Sequence, residues 1–349
     1  MTLQLNGTSG LTFNDGSLQP SAASGKNLII NGNMMIDQRN AGVSVTITSN
    51  GQYTLDRFQA QMSQASKYSV EQVGSSPAGI YYNLKVTSAS AYTVLAADFF
   101  ALEQRVEGFN GLNLDWGTSD AQTVTLSFWV KSSLTGTFTA SLRNGATNRS
   151  FPFTYTIDSA NTWEKKTITV AGDTTGTWAV TNTTWMRVNW SLGTGTNYTS
   201  GTDSGSSGAW QAGNYSGVNG AVNVVSTSGA TFNITGVQLE ADTKATPFEN
   251  LQYEQQLALC QRYFQTFSHA WVGVSGGAGY FQATQGTFNT AMRTTPTATR
   301  TGGTSTTRYP SSNWAVYTQT AQRMVGRMSP TSGGGNEGWT ASGILEAEL

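Results

Sequence analysis

The stretch GVSGG at residues 273–277 fits the G-x-S-x-G pattern of a serine nucleophile elbow. Ser275 would be the nucleophile, and His269, the only histidine of the chain, would have to act as its base. In the fold that uses this elbow the histidine follows the serine, whereas His269 precedes Ser275, and no strand–turn–helix pattern surrounds the motif. In a chain with 39 glycines, we interpret the match as chance.

Carboxylates leave a second chemistry open. Glycoside hydrolysis needs only two carboxylates, roughly 5–9.5 Å apart, so a sequence cannot exclude it. Candidates outside any supporting pattern are Glu164, Asp173, Asp203 and Glu337. The main prediction is that the protein is not an enzyme, and depolymerisation of a surface polysaccharide is kept as an alternative.

Metal and cofactor sites find little support in the sequence. One histidine and one cysteine cannot supply the three or four ligands of a zinc site within one chain. No GxxxxGK phosphate-binding loop occurs. We predict no cofactor. A structural calcium ion with oxygen ligands stays open, without a cluster of aspartates to place it.

Composition favours an all-β protein. Charged residues make up 11% of the chain, against roughly 25% in an average soluble domain. Thr, Val, Tyr and Trp suit strands, and 39 glycines against 7 prolines suit tight turns. The net charge of −1, without a basic cluster, argues against nucleic-acid binding. No apolar run approaches ~18 residues, so we expect no membrane insertion.

Residues 27–249 carry a series of short strands with alternating polarity. In VTLSFWVKS, Val124, Leu126, Phe128 and Val130 share one face, as in a sheet that covers a core. Many such strands predict a jelly-roll sandwich. Tryptophans within these strands are expected in the core, namely Trp129, Trp163, Trp185 and Trp190. Residues 191–220 are predicted to form a long polar loop.

A helical spacing interrupts the strands at YEQQLALCQRYFQTF, residues 253–267. The apolar side chains recur at intervals of 4, 3, 4 and 3, and they are Tyr253, Leu257, Cys260, Phe264 and Phe267. This seam predicts a short helical neck at residues 250–268, where copies of the chain meet. The alternative is a helix that packs on its own domain, since one of about 15 residues is marginal alone.

Two terminal segments flank these domains. Residues 1–26 contain short alternating pieces that are too small to enclose a core, so they are either disordered or buried against another subunit or a larger particle. The N-terminus lacks the basic and apolar regions of a secretory signal, and a single cysteine fits synthesis in a reducing cytosol. Residues 269–349 return to short strands and glycine-rich turns, which predicts a C-terminal β-rich domain.

Several segments together resemble the fibre proteins of tailed bacteriophages. They are NLIINGNMMIDQRN, YTLDRFQ, LEQRVEG, VTLSFWVKS and, most specifically, GVQLEADTKATPFENLQYEQQLALCQRYFQ. The opening TLQLNGTSGLTFNDGSLQ is similar to the short segment by which such fibres attach to the virion. The resemblance covers residues 1–268 well and the remainder weakly, and it carries no catalytic motif.

This resemblance implies a homotrimer in the virion, made in the cytoplasm of a bacterial host. Its middle domain would be similar to carbohydrate-binding modules, and residues 1–26 would bind tail or capsid proteins. A C-terminal knob would contact a host surface glycan. The competing interpretation is a structural decoration or connector of the virion without a receptor of its own.

Candidate ligand-binding residues follow from aromatic rings beside polar loops. In the C-terminal domain they are Arg308, Tyr309, Trp314, Tyr317 and Trp339, which are expected on loops that reach outward. Rings of the 191–220 loop provide an alternative receptor site, namely Tyr198, Trp210 and Tyr215. Each ring could equally close a subunit interface or pin a loop.

Overall fold

The computed structural model describes a chain of two compact units, Met1–Gln252 and Tyr253–Leu349. The described residues are 5–6, 10–12, 18–19, 26–75, 77, 79–200, 208–274, 282–303, 314–328 and 336–349. Among them, no helix is long and apolar enough to cross a membrane.

Strands dominate the first unit. They are β1 (Leu5–Asn6), β2 (Gly10–Thr12), β3 (Leu18–Gln19), β4 (Val45–Thr46), β5 (Gln52–Tyr53), β6 (Phe58–Met62), β7 (Tyr68–Val73), β8 (Asn83–Ser88), β9 (Phe99–Glu107), β10 (Val124–Ser132), β11 (Gly136–Asn144), β12 (Arg149–Ile157), β13 (Glu164–Val170), β14 (Thr184–Thr194), β15 (Thr199–Ser200), β16 (Gln211–Ala212), β17 (Gly217–Val218) and β18 (Thr231–Glu240). The single-turn helix α1 (Gly108–Gly111) follows β9, and short 3-10 helices lie at Leu112–Leu114, Thr196–Tyr198 and Val224–Ser226.

Two antiparallel sheets enclose the core of this unit. The six-stranded sheet has the order β13-β10-β18-β8-β7-β4, and the seven-stranded sheet has the order β16-β12-β11-β14-β9-β6-β5. The chain passes repeatedly from one sheet to the other, and one apolar cluster draws residues from both. The predicted all-β sandwich of the jelly-roll kind is thereby confirmed. Strands β1, β2 and β3 form a separate small antiparallel sheet.

Alternation along each strand explains which residues form the core. Val124, Leu126, Phe128 and Val130 are fully buried on the inner face of β10, as the pattern predicts. Each such side chain contributes roughly 1.5–3 kcal/mol by leaving water. Trp185 and Trp190 of β14 are also buried.

Two tryptophans depart from the expected burial. Trp129 and Trp163 are half-buried rather than buried. Trp129 alternates with the buried residues of β10, so its indole lies on the outer face of the six-stranded sheet. The expectation that they are core residues is therefore wrong. For Trp129 the alternation of the strand outweighs the preference of a large ring for the interior, and Trp163 lies just before β13 and not within a strand.

Helix α2 (Tyr253–Gln261) opens the second unit, and it is shorter than the predicted seam. Strands β19 (Phe264–Val274) and β24 (Asn336–Glu346) pair over eleven residues, from Phe264 opposite Glu346 to Val274 opposite Asn336. Phe264 and Phe267 therefore lie in strand β19. The expectation that both lie on the helix is wrong, because long-range strand pairing overrides the local helical spacing.

The remaining seam residues differ in exposure. Cys260 is fully buried, Leu257 is half-buried and Tyr253 is 53% exposed. Beyond the helix, the amide of Ala347 donates to the carbonyl of Tyr263 over 2.8 Å, and that of Arg293 to the carbonyl of Arg262 over 2.7 Å. These bonds anchor the C-terminal end of the helix to its own unit.

Two three-stranded sheets complete the second unit. Its other strands are β20 (Gln282–Thr287), β21 (Thr297–Gly302), β22 (Trp314–Gln319) and β23 (Arg323–Met328). The sheet orders are β19-β24-β21 and β20-β23-β22, and a small apolar cluster contains Met292, Met324 and Leu345.

Three of the five ligand-binding residues predicted in the C-terminal domain lie in these strands. Trp314, Tyr317 and Trp339 lie in strands β22 and β24, so the expectation that they lie on loops is wrong. Arg308 and Tyr309 lie outside the described residues. The ligand-binding role of all five residues stays a prediction.

Candidate ligand-binding site on the seven-stranded sheet

Four neighbouring strands carry a polar layer on the face of the seven-stranded sheet that points away from the core. The register aligns Gln59 of β6, Glu103 of β9, Asn189 of β14 and Ser141 of β11 in one row. Two residues further along the strands, a second row aligns Arg105, Arg187 and Arg143. Because side chains two apart share a face, the carboxylate of Glu103 comes to lie beside three guanidinium groups.

We name these four residues, Glu103, Arg105, Arg143 and Arg187, the Glu103 cluster. Oε2 of Glu103 lies 2.6 Å from Nη2 of Arg143, and Oε1 lies 2.9 Å from Nε of Arg105 and 3.2 Å from Nη1 of Arg187. The side chain of Glu103 is fully buried, and that of Arg143 is 8% exposed. Such a site holds an ionised carboxylate only because the ion pairs compensate for its lost hydration.

The charge state of Glu103 follows from two opposing effects. Burial favours the neutral acid, and the positive charges of Arg143, Arg187 and Arg105 favour the carboxylate. The guanidinium groups prevail and hold the pKa of the Glu103 carboxyl below its usual value. Glu103 is therefore an ionised acceptor at neutral pH and a poor proton donor.

A pocket of about 250 Å³ opens above this layer, and we call it the charged pocket. Its lining is mostly polar and consists of Asn50, Gln61, Phe99, Ala101, Arg143, Thr147, Arg187, Asn189, Tyr198, Asn214 and Ser216. The rings of Phe99 and Tyr198 meet edge to face, with centroids 5.3 Å apart. Tyr198 is half-buried, and the exposed part of its ring offers apolar area beside the polar groups.

Hydrogen bonds fasten the segment that supplies Asn214 and Ser216 to the sheet. Nη1 of Arg143 donates to Oδ1 of Asn214 over 2.8 Å, and Nδ2 of Asn189 donates to the carbonyl of Ser216 over 3.1 Å. Gly217 then passes so close to β11 that a Cβ atom would lie 2.5 Å from Cγ2 of Thr139. The wall of the pocket is therefore fixed by the sheet itself.

Two buried donors of the pocket's arginines have no acceptor among the described residues, namely Nε of Arg143 and Nε of Arg187. Buried polar groups in proteins are nearly always bonded, to protein, to water or to a ligand. With the amides of Asn50, Gln61 and Asn214, this lining offers donors and acceptors suited to a small polar ligand.

Of the rings predicted in the 191–220 loop, Tyr198 lines the charged pocket and Trp210 does not. Trp210 packs against Trp116, Trp178 and Phe151 with centroid distances of 5.3–5.4 Å, and its Nε1 donates to the carbonyl of Ala171 over 2.8 Å. It therefore pins the loop to the sandwich.

The carboxylates considered for hydrolysis are engaged in structural contacts where they are described. Asp173 is buried and accepts two hydrogen bonds from Arg149, at 2.6 and 2.8 Å. Glu164 lies 2.6 Å from Nζ of Lys166. Asp203 and Ser275 lie outside the described residues, and only the strand positions of His269 and Glu337 are described.

A metal site finds no residues in the described part of the chain. There, no group of three or more His, Cys, Asp or Glu side chains is arranged to hold an ion.

The Glu103 cluster is not among the site residues predicted from the sequence. LEQRVEG contributes to the resemblance to phage fibres, and no chemistry is predicted for it. A usable signal was present, because the charged residues Glu103, Arg105 and Glu107 occupy alternate positions of one strand in a chain with 11% charged residues. Arg143 and Arg187 occur at similar positions, but only the register of β11, β14 and β9 brings the three strands together.

Fold and site thus define an all-β sandwich with a polar pocket on the outer face of one sheet. No family model and no curated protein matches the chain. Solved structures that are similar include the enzymatically active domain of tailspike protein 4 of bacteriophage CBA120, at 12% identity and a TM-score of 0.33. The match covers 62% of this chain and 22% of the tailspike chain.

Two carbohydrate-binding modules match over almost their whole length. A family 11 module from Clostridium thermocellum, in complex with a mixed-linked tetrasaccharide, is 13% identical with a TM-score of 0.28, and the match covers 58% of this chain and 99% of the module. A mutant of a family 29 module is 11% identical with a TM-score of 0.28, and the match covers 59% of this chain and 99% of the module. Identities and TM-scores this low assign neither a family nor a ligand to the chain.

Proposed function

We propose that the protein binds a glycan in the charged pocket of its sandwich and serves as a homotrimeric fibre that attaches a tailed bacteriophage to its host. One observation carries the glycan assignment. A pocket on the sheet combines guanidinium and amide groups with the half-buried ring of Tyr198. Sugars present hydroxyl groups at their edges and C–H groups on their faces, which such a lining complements.

The fibre assignment rests on the phage-like segments of the sequence, and the trimer on helix α2. Tyr253 is 53% exposed and Leu259 39% exposed, so the helix presents apolar side chains that copies of the chain would cover. Three pockets on one particle would turn weak sugar contacts into firm attachment, because each later contact is intramolecular. Tail or capsid proteins would bind residues 1–26.

In this proposal, Arg308, Tyr309, Trp314, Tyr317 and Trp339 make a further receptor contact at the tip. The alternative of a virion connector without a receptor predicts no glycan binding at either place. The alternative of a depolymerase predicts that the bound polysaccharide is shortened.

Binding of the purified full-length protein to a panel of bacterial surface oligosaccharides tests the glycan assignment. We expect Tyr198→Ala to weaken binding roughly tenfold, since stacking on an aromatic ring is lost. Tyr81→Ala is the matched control, because Tyr81 is 70% exposed and lies outside the charged pocket. If neither variant changes the binding of a saccharide that the wild type binds, the pocket assignment is overturned.

Sedimentation of the same preparation tests the trimer. We expect a mass three times the 37.2 kDa of the chain. A monomer at micromolar concentration would overturn the trimer and leave the glycan assignment to its own test.

A further inference from the structure

We propose that the charged pocket selects an acidic saccharide, and that Arg143 and Arg187 bind the carboxylate of a uronic-acid residue. This inference rests on the proposed glycan binding and specifies the class of glycan. It follows from the charge, the unpartnered donors and the rigidity of the site.

The charge of the site is unbalanced. The two guanidinium groups that line the pocket, those of Arg143 and Arg187, share the single carboxylate of Glu103, which leaves one positive charge in excess. Among the described lining residues are two arginines and no acidic side chain. A neutral sugar would leave this excess without a counter-charge, whereas an anionic one would balance part of it in a place where solvent screening is reduced.

The donors of the site suit a carboxylate. A guanidinium group has five N–H donors in a planar fork that matches the two oxygens of a carboxylate. Arg143 uses Nη1 for Asn214 and Nη2 for Glu103 and Asn189, while Arg187 uses Nη1 for Glu103 and Nη2 for the carbonyl of Gly145. The Nε–H groups of both are unbonded but buried, so the donors left for a ligand are the second N–H of Nη1 of Arg143 and of both Nη atoms of Arg187, which have no other acceptor among the described residues.

The position of these donors is fixed before a ligand arrives. Glu103 forms ion pairs with both guanidinium groups. Its neighbour in the same row, Asn189, donates a hydrogen bond to the carbonyl of Ser216. Binding an anion therefore costs little ordering of the arginine side chains, which are otherwise among the most flexible. The pocket volume of about 250 Å³ lies below the range of about 300–1,000 Å³ typical of drug-sized ligands and suits a single sugar ring with its substituents.

Calorimetric titration of the full-length protein with oligogalacturonate and with its methyl ester tests the inference. The two probes share the same sugar backbone, and the ester carries a neutral methyl ester in place of each carboxylate. We expect the acid to bind at least roughly tenfold more tightly than the ester, since the loss of a charge-assisted hydrogen bond has an effect of this size. Raising the salt concentration is expected to reduce the preference.

Variants locate the preference. Arg187→Gln is expected to reduce the ratio of acid to ester affinity toward one, and Tyr198→Ala to weaken both ligands alike. Arg323→Gln removes the same charge from an exposed position of the second unit and is expected to keep the ratio of the wild type. Thermal melting of each variant identifies any that fails to fold, and the comparison of acid with ester in the wild type does not depend on the variants.

The outcomes separate the inference from the proposed function. Equal affinity for acid and ester, or a preference that survives Arg187→Gln, overturns the inference, and glycan binding stands if it still depends on Tyr198. Tighter binding of a sulfated than of a carboxylated oligosaccharide overturns the assignment of the carboxylate. If no saccharide, acidic or neutral, binds in a manner that depends on Tyr198, both the inference and the proposed glycan function fall.

Discussion

The outer faces of the two sheets carry pockets of about equal volume and different lining. The charged pocket of the seven-stranded sheet lies over four ionisable side chains. On the six-stranded sheet, a second pocket of about 250 Å³ is lined by Gly79, Ile80, Ser127, Trp129, Lys165, Gly236, Pro247, Phe248 and Asn250. We call it the aromatic pocket. Both faces belong to one sandwich, so the fold alone does not decide the chemistry of its surfaces.

The two faces differ in how strongly their side chains depend on one another. On the charged side, every group of the Glu103 cluster depends on the others, because an ion buried without its partner is costly. On the aromatic side, the indole of Trp129 is half-buried and needs no compensating charge. Losing one side chain is therefore expected to disturb the charged face far more than the aromatic one.

The largest expected effect is that of Glu103→Ala, which leaves three guanidinium groups around an empty position. We expect the free energy of unfolding to fall by about 3–5 kcal/mol, as for other buried ion pairs that lose one partner. Chemical denaturation measures it. Glu71→Ala is the matched control, because Glu71 pairs with Lys85 at 2.9 Å on the six-stranded sheet with both side chains partly exposed. There we expect about 0–1 kcal/mol, and equal losses in the two variants would contradict the contrast between the faces.

A second, smaller effect concerns the stability of the protein at acidic pH. Since the pKa of Glu103 is lower in the folded than in the unfolded protein, the unfolded chain binds a proton more readily. The stability that Glu103 contributes is present above its ordinary pKa of 4.5 and is lost as the pH falls through the folded value. We expect the stability of the wild type to decline more steeply in this range than that of Glu103→Gln, as measured by denaturation at a series of pH values.

Other groups serve as the internal reference for that experiment. Asp98 and Asp173 also have lowered pKa values despite the opposing effect of burial, through hydrogen bonds from Leu95 and Ser63 and from Arg149. They titrate in both proteins, so only the difference between the two curves reports on Glu103. Parallel curves would show that the cluster does not hold Glu103 ionised.

Local sequence patterns were enough to predict the sandwich but not the Glu103 cluster on the outer face of one sheet. The alternation of Val124, Leu126, Phe128 and Val130 identifies a strand and its inner face without knowledge of its neighbours. The Glu103 cluster depends on register across β9, β14 and β11, and a shift of one residue would have turned its arginines into the core. No single strand carries that information.

In the second unit, a local sequence pattern predicts the wrong element for part of a segment. The spacing from Tyr253 to Phe267 predicts one helix, and its first part is helical. Phe264 and Phe267 share a face on a helix but point to opposite faces of a strand, and their partners in β24 lie some eighty residues away in the sequence. Short apolar patterns are ambiguous in this way until long-range pairing decides between them.

The smallest expected effect is that of Trp129→Ala in the aromatic pocket. Trp129 pairs in register with Lys165 at the edge of the sheet, and the backbone of Gly236 approaches so closely that a Cβ atom would lie 3.0 Å from Cδ1 of the indole. Because the ring is only half-buried, we expect a loss of about 1 kcal/mol in stability and unchanged affinity for oligogalacturonate. Calorimetric titration beside Tyr198→Ala checks both statements. If Trp129→Ala loses binding and Tyr198→Ala keeps it, the saccharide stacks on the six-stranded sheet, and the positive charge of the other face serves only to hold Glu103.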